Sequence, residues 1–409
     1  MDPANALSLV IFYLGAFATP LIAGRLRLPA AVGEILFGVA VGTSGLGLVY
    51  PTPFTRFLYE LGFMFLMFLV GMEIDFNQIE REGARRVGIA ALVASSILSL
   101  GWLMVWRLSY PSFLALILGA MSVGIALVAL RDIGASQTRF GQMILLVGSI
   151  GEFLTLLGLT GYTLVHLYGV GTELAIEILK VFLLFGVAYA ILAVLRLAVW
   201  WFPHTFRRWV DVQDPSELGV RAGFVLMLSL AALSGWVGLE PILGAFLAGS
   251  LFSFVFREKG ILETKLSAVG QGLFIPLFFI HVGVSFDVRA LGETDTLART
   301  LLILAGASLA AKMVPSLLLV LSGFRIRQVV AGGFLLATPL TLLVAAASIG
   351  QRVGVLDPRL NSAIVLLAIV SGIAFPTIFK LLATPAPAEL EEPVPPARSP
   401  SYHLEGGSF

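Results

Sequence analysis

The chain contains no cysteine, which excludes a disulfide framework and a thiolate metal site and leaves the redox compartment unread. Charge is also scarce. Only 12% of the 409 residues are Asp, Glu, Lys or Arg, against about 25% in soluble domains. The four histidines, His166, His204, His281 and His403, stand singly and without metal-ligand spacing. Neither a nucleophile–base pair nor a metal cluster points to an enzyme, and no cofactor is expected. A net charge of +1 says nothing of partners, and no nucleic acid is expected among them. The opening "MDPANALSLVIF" has no Lys or Arg ahead of its apolar run, so it reads as a first transmembrane helix and not as a secretory signal. What the chain has instead is 58% hydrophobic residues and 43 glycines, the composition of closely packed membrane helices.

Thirteen apolar runs are long enough to cross about 30 Å of hydrocarbon: 5–23, 30–48, 57–74, 88–107, 112–131, 140–164, 174–199, 218–236, 240–256, 268–285, 298–322, 328–350 and 360–383. Thirteen crossings place the termini on opposite faces. Seven Lys and Arg fall on the face of the N-terminus and seventeen on the other. The basic face is expected to be cytoplasmic, with the N-terminus outside and the C-terminus inside a bacterial cell membrane. The tail "TPAPAELEEPVPPARSPSYHLEGGSF" reads as disordered.

The chain also repeats itself. "FLVGMEIDF" and "FIHVGVSFDV" each place an Asp four residues after a Gly (Gly71 and Asp75, Gly283 and Asp287). "GEILFGV" at Gly33 matches "GAFLAGS" at Gly244. "SVGIALVALRDIG" at Ser122 matches "TPLTLLVAAASIG" at Thr338, and "SIGEF" at Ser149 faces "SGIAF" at Ser371. The offsets are nearly constant, at 212, 211, 216 and 222 residues. Helices one to six thus repeat as eight to thirteen, with helix seven as the link. An odd number of crossings between equivalent positions inverts the second repeat, the arrangement used for alternating access.

Charges inside a membrane cost a few kcal/mol or more each and need a reason. Glu152, in "VGSIGEFLTLLGL", and Lys312, in "GASLAAKMVP", both fall near the middle of their helices. Ser122 in "MSVG" and Thr338 in "ATPLT" mark the middles of helices five and twelve. Pro339 should break the latter and the glycines of "GAMSVG" should soften the former. Freed carbonyls and these two hydroxyls would be ligands for a small hard cation. The expected cation- and proton-binding set is therefore Glu152, Lys312, Ser122 and Thr338, with Glu152 as the direct ligand of a transported monovalent cation. A carboxylate at that depth can hold a proton or a metal ion, and the competition would couple the two fluxes. Alternatively, Glu152 pairs with Lys312 as a satisfied buried acid. Glu34, Asp75, Asp287, Glu240 and His281 read as structural, and Arg131 and Asp132 as possible lining of an entrance funnel.

"GEILFGVAVGTSGLGLV", "YELGFMFLMFLVGMEIDF", "GLEPILGAFLAGSLFS" and "IPLFFIHVGVSFD" together resemble the monovalent cation–proton antiporter superfamily, in its bacterial sodium or potassium–proton exchanger branch, over residues 5–383. The resemblance implies an all-α polytopic membrane protein of about thirteen transmembrane helices, with inverted six-helix repeats and crossing broken helices. It implies a homodimer exchanging H⁺ for Na⁺ or K⁺ across the lipid bilayer. A dimer domain would comprise residues 1–86 and 216–296. A mobile core would comprise 87–166 and 297–383, joined by a linker at 167–215 and followed by the tail at 384–409. The family's ion-binding acid falls on Glu152 and its basic residue on Lys312. Where the family carries two Asp, Asn-Asp or Gln-Asp, this chain has Gly151-Glu152, and Glu152, longer than Asp by one methylene, has the length to reach Lys312 itself. The rival readings are a potassium-efflux component, a transporter of another substrate, and a non-transporting sensor on the same fold.

Overall fold

The structure, a computed structural model, describes residues 3–26, 28–73, 76–201, 216–255, 260–286 and 294–383. Asp75, Asp287 and the tail lie outside them.

The described residues form helices α1 (Pro3–Leu26), α2 (Ala30–Val41), α3 (Pro53–Glu73), α4 (Phe76–Leu108), α5 (Leu114–Gly119), α6 (Gly124–Asp132), α7 (Arg139–Tyr168) and α8 (Thr172–Trp201). There follow α9 (Leu218–Trp236), α10 (Pro241–Val255), α11 (Gly260–Val284), α12 (Thr294–Ser316, ending in a 3₁₀ stretch Leu317–Ser322), α13 (Ile326–Leu336), α14 (Leu340–Arg352) and α15 (Pro358–Ala383). With α5–α6 and α13–α14 each taken as one interrupted span, eleven spans are long and apolar enough to cross a membrane. The shorter apolar helices α2 and α10 complete the thirteen runs read from the sequence. The chain is a multi-pass membrane protein. Its second span stops at Val41 and not at residue 48, because "GTSGLG" follows and turns the chain, with Gly47 at φ 64°.

Both expected interruptions are present. Residues 120–123 separate α5 from α6, and 337–339 separate α13 from α14, where Pro339 cannot donate into a continuous ladder. The halves cross in opposite senses: α5 packs on α14 and α6 on α13.

The inverted repeat can be read from two helix crossings. At α2–α11, a Cβ on Gly38 would overlap the Ile280 carbonyl oxygen, and one on Gly283 the Ile35 carbonyl oxygen. At α3–α10, Gly249 meets the Phe68 carbonyl in the same way, and Gly71 meets that of Phe246. Each member of the first crossing maps onto one of the second at offsets of 211 or 212 residues. Without a hydrophobic driving force between helices in lipid, such backbone-to-backbone approach is the main source of their attraction.

Every extensive helix packing falls within one of two groups, α1–α3 with α9–α11, or α4–α7 with α12–α15; α8 touches both. The groups meet mainly through side chains: Phe153 stacks on Phe246 (ring centroids 6.2 Å apart), and Arg352 reaches Glu240 at 3.3 Å.

Replacing Gly249 by Val should destabilise the fold by about 1–3 kcal/mol or more, since the backbone opposite cannot retreat. Gly186→Ala, on α8 where a Cβ meets nothing within 4 Å, should leave it unchanged. Thermal unfolding of the two purified variants in one detergent checks the contrast.

Candidate ion-binding site

Two broken helices inside a membrane leave backbone groups with no intrahelical partner, and each needs one from elsewhere. The residues singled out in the sequence supply them. Glu152, 3% exposed on α7, accepts a hydrogen bond through Oε2 from the Val123 backbone N–H, 3.3 Å away at the start of α6. A carboxylate there also meets the positive end of the helix dipole. Lys312, fully buried on α12, donates from Nζ to the Leu118 carbonyl in the last turn of α5. It also donates to the Ser308 hydroxyl at 2.8 Å. The Thr338 hydroxyl donates to Leu335 O at 2.6 Å, closing the end of α13. Anion sits at an N-terminus and cation at a C-terminus, so the charges and the interrupted helices stabilise one another.

The expected Glu152–Lys312 ion pair is not formed. Lys312 is held by a carbonyl and a hydroxyl, and Glu152 by a backbone amide. The two charges bind opposite ends of the same interruption in α5–α6. The family-like departure at Gly151 has a steric explanation: a Cβ there would overlap the fully buried Met121 side chain. Met121 occupies the space in which a first acid or amide would stand.

Ser122 and the second broken helix do meet, but through Thr341. Ser122 Oγ and Thr341 Oγ1 lie 3.0 Å apart across the crossover, and Ser122 is also close enough to act on the Glu152 carboxylate. Glu152 Oε1 is buried with no hydrogen-bond partner. A buried carboxylate oxygen left open on a group beside the Ser122 hydroxyl is chemically suited to a proton or to a small cation with oxygen ligands. Thr341 carries no sequence signal of its own, since the chemical mark of this break is the helix-breaking Thr338-Pro339 step. Glu73, at the end of α3, is not signalled either. Its carboxylate lies against Gly124, and its charge acts on Glu152 from the opposing group of helices. Repeat matching hid it, since position 285 of the second repeat holds a serine.

The remaining candidates lie elsewhere. Asp132 pairs with Lys380 of α15 at 2.7 Å, and Arg131 beside it is exposed. Glu240 pairs with Arg352. His281 Nε2 is 3.4 Å from the Ser285 hydroxyl, and its ring packs on Tyr59 with centroids 5.0 Å apart. Glu34 is buried on α2, which packs on α1 and α11 and not on the crossing helices.

Crossing broken helices that hold a buried acid are the architecture of a secondary ion transporter. A sequence model described as "Sodium/hydrogen exchanger, transmembrane" matches residues 10–384, and the chain belongs to that family, which is one of transporters and not of enzymes. Among its relatives, "Putative Na(+)/H(+) antiporter YjbQ" of Bacillus subtilis (strain 168) is 32% identical over 93% of this chain. The chain spans 64% of the length of that relative. A "Na(+)/H(+) antiporter" of Enterococcus hirae is 26% identical over 88% of this chain and 93% of its own. The fold matches the structure of the sodium proton antiporter MjNhaP1 from Methanocaldococcus jannaschii at pH 8, with a TM-score of 0.59, 12% identity and coverage of 93% and 97% of the two chains.

Gly151→Asp should lower the unfolding temperature because the fully buried Met121 side chain must move to admit it. Adding Met121→Ala should recover most of the loss, so the two changes should be strongly non-additive in a thermal-unfolding cycle. Lys312→Met, which keeps the stem but leaves the Leu118 carbonyl unpaired, should cost about 1–3 kcal/mol on the same measurement.

Proposed function

We propose that this chain is a secondary active transporter that exchanges protons for a monovalent cation, Na⁺ or K⁺, with the two competing for Glu152. The observation that carries the reading is the open Oε1 of Glu152, buried near Ser122, whose hydroxyl meets Thr341 of the second broken helix. Binding a cation displaces the proton; release on the other face restores it. Lys312 braces the negative end of α5 and keeps its charge away from the carboxylate. The relatives' names as Na⁺/H⁺ antiporters support Na⁺ ahead of K⁺.

Alternating access follows from the division of the helices. We assign α1–α3 and α9–α11 to a dimer domain and α4–α7 and α12–α15 to a mobile core, with α8 as the link, close to the boundaries expected from the sequence. Among the described residues no extensive helix crossing joins the two groups, and a contact made by side chains suits sliding. A second copy of the chain would seat on α1, whose Leu7, Val10, Leu14, Phe17 and Leu21 form an exposed apolar stripe in the bilayer. On the face away from the basic loops, Arg352 of the core holds Glu240 and lies over the Phe63 ring at 6.0 Å. The basic face is assigned to the cytoplasm of a bacterial cell, with the N-terminus outside.

Proteoliposomes with a pH-sensitive dye and an inward acid gradient test the exchange. Na⁺, or K⁺, should dequench the wild type and fail with Glu152→Gln. A response that survives in that variant removes Glu152 from the shared site, and silence of the wild type toward Na⁺, Li⁺ and K⁺ favours another substrate or a sensor. At alkaline pH, where the proton does not compete for Glu152, Glu73→Gln, which removes a negative charge facing the site, should raise the cation concentration for half-maximal dequenching by on the order of tenfold, or about 1.4 kcal/mol. The absence of cysteine makes orientation simple to test. A membrane-impermeant maleimide should label Val170→Cys on intact cells, and Gln137→Cys only after permeabilisation.

A further inference from the structure

A second polar site lies at the basic end of the core helices. A cavity of about 410 Å³ opens there between α4, α7 and the 3₁₀ end of α12. Arg85, Arg86, Arg139 and Ser322 line it, with Ile89 and Leu321. Local structure brings the cations together. Gly83, at φ 76° and ψ 154°, kinks α4, so Arg85 and Arg86 open its straight part. Arg139 is the first residue of α7, and Gly323, at φ 86°, ends the stretch that carries Ser322. The Ser322 hydroxyl oxygen is buried and has no hydrogen-bond partner, so one polar atom at the cavity lacks the bond that burial normally requires.

We infer that this cavity binds a phosphate-bearing anion, and that its occupant is the headgroup of an anionic phospholipid. Arg85 provides a forked pair of donors that matches phosphate oxygens, and Arg86 and Arg139, which also have partners within the chain, each carry five N–H groups, so one partner does not exhaust them. The Ser322 hydroxyl adds a fourth donor, and the start of α7 a favourable dipole. Ile89 and Leu321 distinguish the two sources of such an anion. A free phosphate has no use for an apolar wall, whereas a lipid places its glycerol and upper acyl chain against one. The height is right as well, since the cavity sits at the ends of three membrane-crossing helices, where headgroups lie. Its occupant would tie the foot of α7, which carries Glu152, to the foot of α12, which carries Lys312. The inference does not depend on which ion is exchanged or on which face is cytoplasmic.

The test is lipid binding to the full chain, purified in detergent and delipidated. Native mass spectrometry and thermal unfolding are followed during titration with phosphatidylglycerol, phosphatidylcholine or inorganic phosphate. Phosphatidylglycerol should bind and stabilise, and phosphatidylcholine should not. The triple variant Arg85→Gln, Arg86→Gln, Arg139→Gln should bind phosphatidylglycerol about a hundredfold more weakly, roughly fivefold per arginine. Arg→Lys at the same positions, which keeps the charge and loses the fork, should bind more weakly than the wild type and more tightly than the triple Gln variant. If inorganic phosphate alone reproduces the stabilisation, the site is an anion site for a soluble phosphate and the lipid assignment falls. If phosphatidylglycerol binds the triple Gln variant as tightly as the wild type, the site itself is overturned. Should the triple variant fold poorly, Arg85→Gln and Arg139→Gln singly must each show the fivefold loss.

Discussion

An interrupted helix in a membrane has to find partners for the backbone groups it frees, and there is no water in the hydrocarbon to provide them. The rest of this molecule is arranged around that requirement. Glu152 satisfies the first amide after the break in the first repeat, Lys312 satisfies a carbonyl before it, and Thr338 closes the end of α13 in the second repeat. Each charge on its own would be costly to bury. Set against the matching end of a half-helix, each is stabilised by the dipole and stabilises the half-helix in turn. The residue pair that seemed from its chemistry to be a salt bridge is thus two separate helix caps.

That separation matters for exchange chemistry. A carboxylate already paired with an ammonium has little to offer a cation. Glu152 is held by one long backbone hydrogen bond and keeps a second oxygen open, next to the Ser122–Thr341 contact that joins the two repeats. Occupying the site therefore touches both broken helices at once. Glu73 adds negative charge from the opposite group of helices, so the site's electrostatics depend on how the two groups are placed. The interface between them is made by side chains, Phe153 on Phe246 and Arg352 on Glu240 among them, and carries no close helix crossing among the described residues, which suits a surface that slides. The dense glycine crossings at Gly38, Gly71, Gly249 and Gly283 suit a frame that does not.

Much of this was legible in the chain itself. Apolar length located the spans, and the constant repeat offset made the inversion necessary. Depth in an apolar helix marked Glu152 and Lys312, and Pro339 marked one break. These signals are local: they depend on composition within a single turn or span, or on comparison of the chain with itself. What only the tertiary structure decided is which groups face each other across helices remote in sequence. Glu152 turns to Val123 and not to Lys312, Thr341 and not Thr338 meets Ser122, Met121 fills the space over Gly151, and Glu73 reaches the crossover. Those outcomes depend on the rotation of each helix about its axis and on the depth at which two spans cross. Apolar periodicity constrains such rotation weakly in a chain whose helices are hydrophobic on every side.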